Sequence, residues 1–194
     1  MKHHISKIAS TCFYHLRRLR QLRDKVSQET MKQLVTSLVL SRIDYCNVVL
    51  AGLPASTIAP LQRVQNAAAL LVLRLDRRPH ITPALRELHW LPVKYRIEFK
   101  VAVFMHQVIT QRCPSYVADL VAFCASDPQR RSLRSASTCA AVIRRTRTEL
   151  GRRAFAVCGP DVWNSLPPSL RTTTSHSAFR RSLKTHIYNL AFLS

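Results

Sequence analysis

Apolar residues recur every three or four positions in the first part of the chain, the spacing of one face of an α-helix. They are Ile5, Ile8, Cys12, Leu16, Leu19, Leu22 and Val26. Four arginines fall between them: Arg17, Arg18, Arg20 and Arg23. The pattern predicts an amphipathic helix over residues 5–26 whose polar surface is basic.

Two further helices are predicted before residue 75. Ser27 and Glu29 are typical of a helix start, and the segment that follows is apolar on nearly all sides up to about Ala51. We therefore expect a buried helix that ends at Gly52 and Pro54. Pro60 predicts the start of a third helix, which has one apolar and one polar side. The apolar side carries Leu61, Val64, Ala68 and Leu71, and the polar side carries Gln62, Arg63, Gln65 and Asn66.

The segment HITPALRELHWLPV, residues 80–93, predicts a helix–corner–helix joint. Thr82 is the expected cap and Pro83 the expected first helical residue, while Pro92 restarts a helix. Trp90 is the expected filler of the corner. The restarted helix would bury Val93, Ile97, Val101, Phe104 and Val108. A short helix should follow from Pro114 to about Phe123.

The composition changes at Ala125, and this change divides the chain. Residues 1–124 predict a helical domain, and residues 125–137 are a basic Ser/Arg segment typical of a linker. Residues 138–194 predict a small C-terminal region in which TCAAVIRR forms a short strand or a loop. Residues 149–157 look helical, GPDVWNSLPPSL looks like a proline-bounded turn, and Ser177 would cap a terminal helix. The predicted fold class is mainly α.

The net charge of the chain is the feature that says most about its function. The chain has 30 Lys and Arg against 10 Asp and Glu, a formal net charge of +20. Such an excess predicts a polyanionic partner, RNA or DNA before a membrane surface. The most apolar run, residues 35–53, contains Arg42 and Asp44 and should not span a membrane. We see no secretory signal and expect an intracellular protein whose six cysteines are reduced and mostly buried.

Catalytic signatures are weak. The ten acids are scattered singly, whereas metal-dependent polymerases and nucleases need converging carboxylates. Cys113, Cys124 and His106 come nearest to a zinc site, but their spacing fits no common finger. Nothing local supports a Cys–His nucleophile. We expect no catalytic, metal-binding or cofactor-binding residue in this chain.

The basic residues are the candidate site, because arginines on helix surfaces meet phosphates first. The alternative is a solvated charged face. The candidate nucleic-acid-binding residues are Arg17, Arg18, Arg20, Arg23, Arg63, Lys94, Arg96, Arg130, Arg131, Arg134, Arg144, Arg145, Arg147, Arg152, Arg153, Arg180, Arg181 and Lys184. His89 and Trp90 could stack on a base, although corner packing explains Trp90 better, and the same holds for Trp163.

Several blocks occur in a fixed order that resembles one known family. They are LSRIDYCNVVLAGLP, LQRVQNAAALLV, HITPALRELHWLPVKYRIEFK, RSLRSAS, RTRTELGRRAF, VWNSLPPSLR and SAFRRSLKTHIY. They resemble the C-terminal part of the polyprotein of LINE-type (non-LTR) retrotransposons of the jockey and chicken-repeat kind. That part is the reverse-transcriptase thumb and the tail beyond it, and the resemblance covers nearly the whole chain from about Ile5.

The resemblance implies a helical thumb-like bundle with a less regular basic C-terminal region. The parent protein would be a nuclear, magnesium-dependent RNA-directed DNA polymerase, and the partners would be primer–template duplex and the parent's palm domain. The family's (F/Y)ADD motif is absent from this sequence, so the chain alone should not polymerise. It also departs from the family at Ala69 and in the glycine-free LVLRLDRRP, so contacts of residues 69–79 are not carried over.

The sequence is also consistent with other functions. The chain could be a stand-alone nucleic-acid-binding protein derived from such an element. It could also be a protein-interaction module that pairs helices through Ile5, Cys12, Leu19 and Val26, which have heptad-like spacing. A decayed copy without function is a third possibility.

Overall fold

The computed structural model describes residues 1–75, 80–124 and 138–193, and it confirms a mainly helical fold. The helices are α1 (Lys2–Arg20), α2 (Gln28–Val35), α3 (Ser41–Asp44), α4 (Ala55–Val72), α5 (Ile81–Glu87), α6 (Val93–Ile109), α7 (Ser115–Ala118), α8 (Glu149–Arg152), α9 (Phe155–Asn164), α10 (Pro168–Arg171) and α11 (His176–Phe192). A π-helical segment, Thr36–Leu40, joins α2 to α3, and Asn47–Leu50 is a 3₁₀ turn. Within the described residues β-pairing is limited to one antiparallel bridge, between Phe123 and Ala141.

The chain forms two compact units whose limits differ from the division expected from composition. The first unit contains Met1–Asn47, Leu53–Arg96 and the end of α11, and the second contains Val48–Gly52 and Ile97–Leu190. The unit boundary therefore falls inside α6. The predicted linker, residues 125–137, lies outside the described residues, and its role stays a prediction.

The apolar stripe of α1 forms part of the core of the first unit, as the periodicity predicted. Its buried residues are Ile5, Ala9, Cys12, Leu16 and Leu19. The helix packs most extensively against α4. It ends at Arg20, earlier than the predicted Val26, and a turn follows. Two carbonyls of that turn, those of Arg23 and Val26, accept hydrogen bonds from the Arg74 guanidinium, each at 3.0 Å.

Helix boundaries in this unit correct two further predictions. The helix after the Ser27 cap ends at Asp44 and not near Ala51, because Tyr45 is extended and Cys46 is left-handed (φ 51°). The helix expected to start at Pro60 begins at Ala55 and contains Pro60 in its interior.

The joint at residues 80–93 has the predicted shape, although its first helix begins at Ile81, so that Thr82 is not the cap. His89 takes a left-handed conformation (φ 55°), and the Trp90 amide donates to the Leu85 carbonyl at 2.9 Å. These are the features of a Schellman helix end. Trp90 is 6% exposed, which confirms it as the filler of the corner.

A ladder of side-chain amides on α4 fixes the second half of the joint. Gln65 is fully buried and donates to the Leu91 carbonyl at 2.8 Å. Gln62 accepts from the Val93 amide at 2.8 Å, which satisfies one of the open N–H groups at the start of α6. Gln62 also donates to Asn66. The side of α4 that the sequence marked as polar therefore holds the corner in place.

The second unit has an aromatic core around Trp163, Phe179 and His106. The predicted turn GPDVWNSLPPSL is helical in large part, because α9 continues to Asn164 and α10 follows. TCAAVIRR is a loop with a single bridge and is held by α9. The Trp163 indole donates to the Cys139 carbonyl at 2.8 Å.

Asn164 completes this anchorage. Its amide accepts from the Ala141 N–H at 2.9 Å and donates to the Ala141 carbonyl at 2.8 Å. The terminal helix α11 begins at His176, and Ser175, in place of the predicted Ser177, accepts from the Ala178 amide at 3.5 Å.

Candidate nucleic-acid interface

The basic end of α1 is exposed, as its sequence predicted. Arg17, Arg18 and Arg20 point to solvent, because the apolar stripe on the other side of the helix faces the core. Arg23, in the turn after α1, is half-buried. In the part of the chain that the structure describes, the three exposed arginines form no ion pair with an acid. Their guanidinium groups are open to an anionic ligand.

Arg96 does not fit the interface to which the sequence assigned it. It makes a two-pronged ion pair with Asp44, in which Nε donates to Oδ1 at 2.8 Å and the second prong joins Nη2 to Oδ2. The two side chains are only 19% and 28% exposed. Because the carboxylate occupies the donor fork, Arg96 is a structural residue that connects α3 to the first turn of α6.

Two other candidates of the first unit are exposed. Arg63 lies on α4, next to the buried Gln65, and Lys94 lies in the first turn of α6. The Lys94 ammonium is 5.6 Å from the centroid of the Tyr95 ring, a cation–π contact that reduces its availability.

In the second unit the candidates form two groups. Arg144, Arg145 and Arg147 are exposed in an irregular segment, and Arg180, Arg181 and Lys184 are exposed on α11. Arg152 is exposed but lies 3.4 Å from the Glu149 carboxylate. Arg153 is half-buried beside Gly52 and its Nε is buried, so it fits packing better than phosphate contact. Arg130, Arg131 and Arg134 lie outside the described residues.

A groove of the first unit, which we call the basic groove, was not predicted from the sequence. His4, Lys7, Ile8 and Thr11 of α1 and Arg42 of α3 line a half-open cavity of about 270 Å³. Arg42 lies close enough to α1 to line the same cavity, and its charge opposes the rise that burial causes in the pKa of the Cys12 thiol. The residues of α1 share the helical spacing 4, 7 and 11, which would have revealed the face, but only the approach of Arg42 makes it a groove.

A pair of histidines occupies the core of the second unit. His106 is fully buried, and its Nε2 lies 2.9 Å from the Thr173 carbonyl. A carbonyl can only accept, so Nε2 carries the proton and Nδ1 accepts from His176 Nδ1 at 3.1 Å. Burial lowers the pKa of His106 and of His176, and the nearby Arg112 lowers both further.

Neither tryptophan is available to stack on a base. Trp163 is fully buried and Trp90 nearly so, which confirms the packing interpretation for both. His89 is exposed on the outside of the corner. Two aromatic residues near the arginines of α1 are exposed, Phe13 at 39% and Tyr14 at 51%, and neither was predicted from the sequence as a candidate.

The cysteines are less buried than expected. Cys12 and Cys158 are buried and Cys46 is exposed, while Cys113, Cys124 and Cys139 are half-buried. Over residues 1–75, 80–124 and 138–193, no three His, Cys, Asp or Glu side chains are grouped so that they could hold a metal ion. None of the helices there is both long and apolar enough to cross a bilayer.

Comparisons with known proteins give no relative. No protein-family model, no curated protein and no solved structure matches the chain. The exposed surfaces of α1 and α11 each include several positively charged hydrogen-bond donors, a chemistry that suits the binding of phosphate groups.

Proposed function

We propose that this chain is the thumb and tail portion of an RNA-directed DNA polymerase from a LINE-type mobile element. In this role it contributes nucleic-acid binding and not catalysis. The observation that supports the proposal most directly is the set of exposed arginines on α1, which face solvent without acidic partners in the described residues. The resemblance of the sequence blocks supplies the family.

Arginines of this kind would hold the backbone of a primer–template duplex. A guanidinium group matches the geometry of a phosphate with two parallel hydrogen bonds, and it cannot lose its charge in a protein. Contacts of this type fix position without reading base sequence. We therefore expect binding that depends on charge and hardly at all on sequence.

The magnesium of the parent polymerase would be bound outside this chain. Phosphoryl transfer of this kind needs carboxylates that converge on the metal ion. In the described residues the acids are not grouped in that way, and Asp44 is already bound by Arg96. The palm of the parent protein would supply those ligands, and the parent would act in the nucleus.

The salt dependence of duplex binding tests this proposal. Each phosphate contact steepens the fall of log K with log salt by about 0.9. We expect a slope of several units for the whole chain, and Arg18→Gln should reduce it by about one unit. The matched control is Arg96→Gln, which removes a guanidinium group that is already paired and should leave the slope unchanged. A slope near zero for the whole chain would contradict the proposal.

A second candidate is a stand-alone nucleic-acid-binding protein derived from such an element. The buried cores of both units favour it, since Trp163, Phe179 and Leu183 in the second unit and Val35 and Leu61 in the first are fully buried. An isolated chain with one cooperative thermal transition would support this candidate. Aggregation through exposed apolar side chains would support the fragment.

The helix-pairing alternative required Ile5, Cys12, Leu19 and Val26 to contact another chain. Ile5, Cys12 and Leu19 are buried within the first unit at 0–4% exposure and Val26 is half-buried, so this alternative has less support than the other two.

A further inference from the structure

One stripe of α1 combines charge with an exposed aromatic ring. His4, Lys7, Thr11, Tyr14 and Arg18 follow each other at alternating intervals of three and four, so they lie on one face of the helix. This face is separate from the buried stripe of Ile5, Cys12 and Leu19. At 1.5 Å per residue the stripe is about 21 Å long. We call it the α1 stripe.

The first half of the α1 stripe forms a wall of the basic groove. Arg42 completes the groove from α3, and the Thr11 hydroxyl donates to the Lys7 carbonyl at 3.0 Å. In the described residues none of His4, Lys7 and Arg42 is paired with an acid. The cavity of about 270 Å³ is just below the lower limit of sites for drug-sized ligands, roughly 300 Å³.

The second half of the α1 stripe offers a stacking surface. Tyr14 is 51% exposed, and its ring makes an edge contact with the neighbouring His15 at 5.5 Å between centroids. Arg18 lies one turn further along the helix. Duplexes hide the faces of their bases, whereas single strands expose them, and proteins hold single strands by combining a basic groove with aromatic side chains.

We propose that the α1 stripe and Arg42 bind a single-stranded segment of nucleic acid, with one backbone phosphate in the groove and one base stacked on Tyr14. This inference rests on the proposed nucleic-acid function and specifies its substrate at α1. The other arginines would be sufficient for a duplex, but they do not account for an exposed aromatic ring in line with a basic groove.

The test uses the full chain and a short oligothymidylate that carries one 2-aminopurine. Tyr14→Leu should weaken binding at least about fivefold and abolish the quenching of 2-aminopurine that stacking causes. Phe13→Leu is the matched control, because Phe13 is a neighbouring exposed aromatic residue outside the stripe. It should change neither quantity.

The groove is tested through the salt dependence of the same titration. Lys7→Ala and Arg42→Ala should each reduce the salt slope, and the double variant should reduce it by about 0.7, the value for one phosphate of a single strand. Lys2→Ala, on the same helix but outside the groove, should not. Circular dichroism confirms that each variant is folded.

The outcomes separate this inference from the function on which it rests. Stripe variants that behave like their controls, in a chain that still binds duplex with a steep salt slope, would overturn the inference alone. A chain that binds neither duplex nor single strand would overturn the proposed function as well. Selective loss of single-strand binding in Tyr14→Leu and in the groove variants would support both.

Discussion

Acidification should destabilise the second unit through His106. This side chain is fully buried, stacks on Phe179 at 4.2 Å between ring centroids, and accepts a hydrogen bond from His176. A second proton would enter on Nδ1 and would place two N–H groups opposite each other. Burial, the main cause, lowers the pKa of His106 in the folded chain, and Arg112 disfavours a further positive charge. The folded state therefore resists protonation.

The sign and size of the effect follow from this resistance. The unfolded chain takes up the proton near the usual histidine pKa of about 6.5, whereas the folded chain does not. The unfolded state then binds more protons, so the free energy of unfolding decreases as the pH falls through that value. One pH unit below the usual histidine pKa, a histidine that stays neutral in the folded chain lowers the free energy of unfolding by up to about 1.4 kcal/mol.

Urea unfolding, followed by tryptophan fluorescence at several pH values, measures this loss. His106→Gln should flatten the pH dependence, because its amide can still donate to the Thr173 carbonyl but does not titrate in this range. His106→Phe keeps the ring stack and should flatten the dependence as well. If both variants lost stability on acidification as steeply as the natural chain, His106 could not be the cause.

Two further predictions concern side-chain amides that hold the fold together. Gln65→Ala leaves the Leu91 carbonyl without its donor and should lower the free energy of unfolding by about 1–3 kcal/mol. The control is Arg63→Ala at an exposed neighbouring position, which should change the free energy of unfolding by less than about 0.5 kcal/mol. Equal urea midpoints for the two variants would contradict this prediction. Asn164→Ala removes both hydrogen bonds to Ala141 and should lower the free energy of unfolding by about 1–3 kcal/mol. Hydrogen exchange at the Ala141 backbone amide should become faster. Ser165→Ala is the control, and unchanged exchange in Asn164→Ala would show that the anchor is not needed.

The part of the fold that could be predicted is the part that periodicity encodes. Four of the five buried residues of α1 belong to the apolar set that the sequence predicted, and the fifth, Ala9, lies on the same side of the helix. The joint at residues 80–93 was also predictable, because prolines and a tryptophan mark it. Such features depend on residues close to each other in the chain, where spacing decides which side chains share a face.

Helix ends were the least predictable feature, for a physical reason. A helix commonly ends in a left-handed residue, and glycine is its usual sign in a sequence. This chain has three glycines, and Arg74, His89 and Gln111 take that conformation (φ 52–56°). A left-handed residue with a side chain costs about 1–2 kcal/mol. Tertiary packing has to offset that cost, and tertiary packing cannot be predicted from residues that are adjacent in the sequence.

The candidate site was predictable as a charge but not as a set of residues. Arg96 looked equivalent to Arg18, yet its partner Asp44 lies 52 positions away in the sequence. Arg42 stands alone in the sequence and completes the basic groove only because α3 packs beside α1. Pairing of this kind depends on long-range contacts, and it decides which cations remain open to a ligand.

The inference of a polyanionic partner does not depend on any single pairing. Ten acids can neutralise at most ten of the thirty lysines and arginines, so at least twenty positive charges remain however the chain folds (30 − 10 = 20). Their mutual repulsion opposes the compact state, and a bound polyanion relieves it. The fold determines which cations remain exposed. Arg96 forms an ion pair with Asp44, while Arg17, Arg18 and Arg20 are exposed on one helix. The proposal of a nucleic-acid partner thus rests on the net charge, and the packing of α1, α3 and α4 determines which cations would be open to that partner.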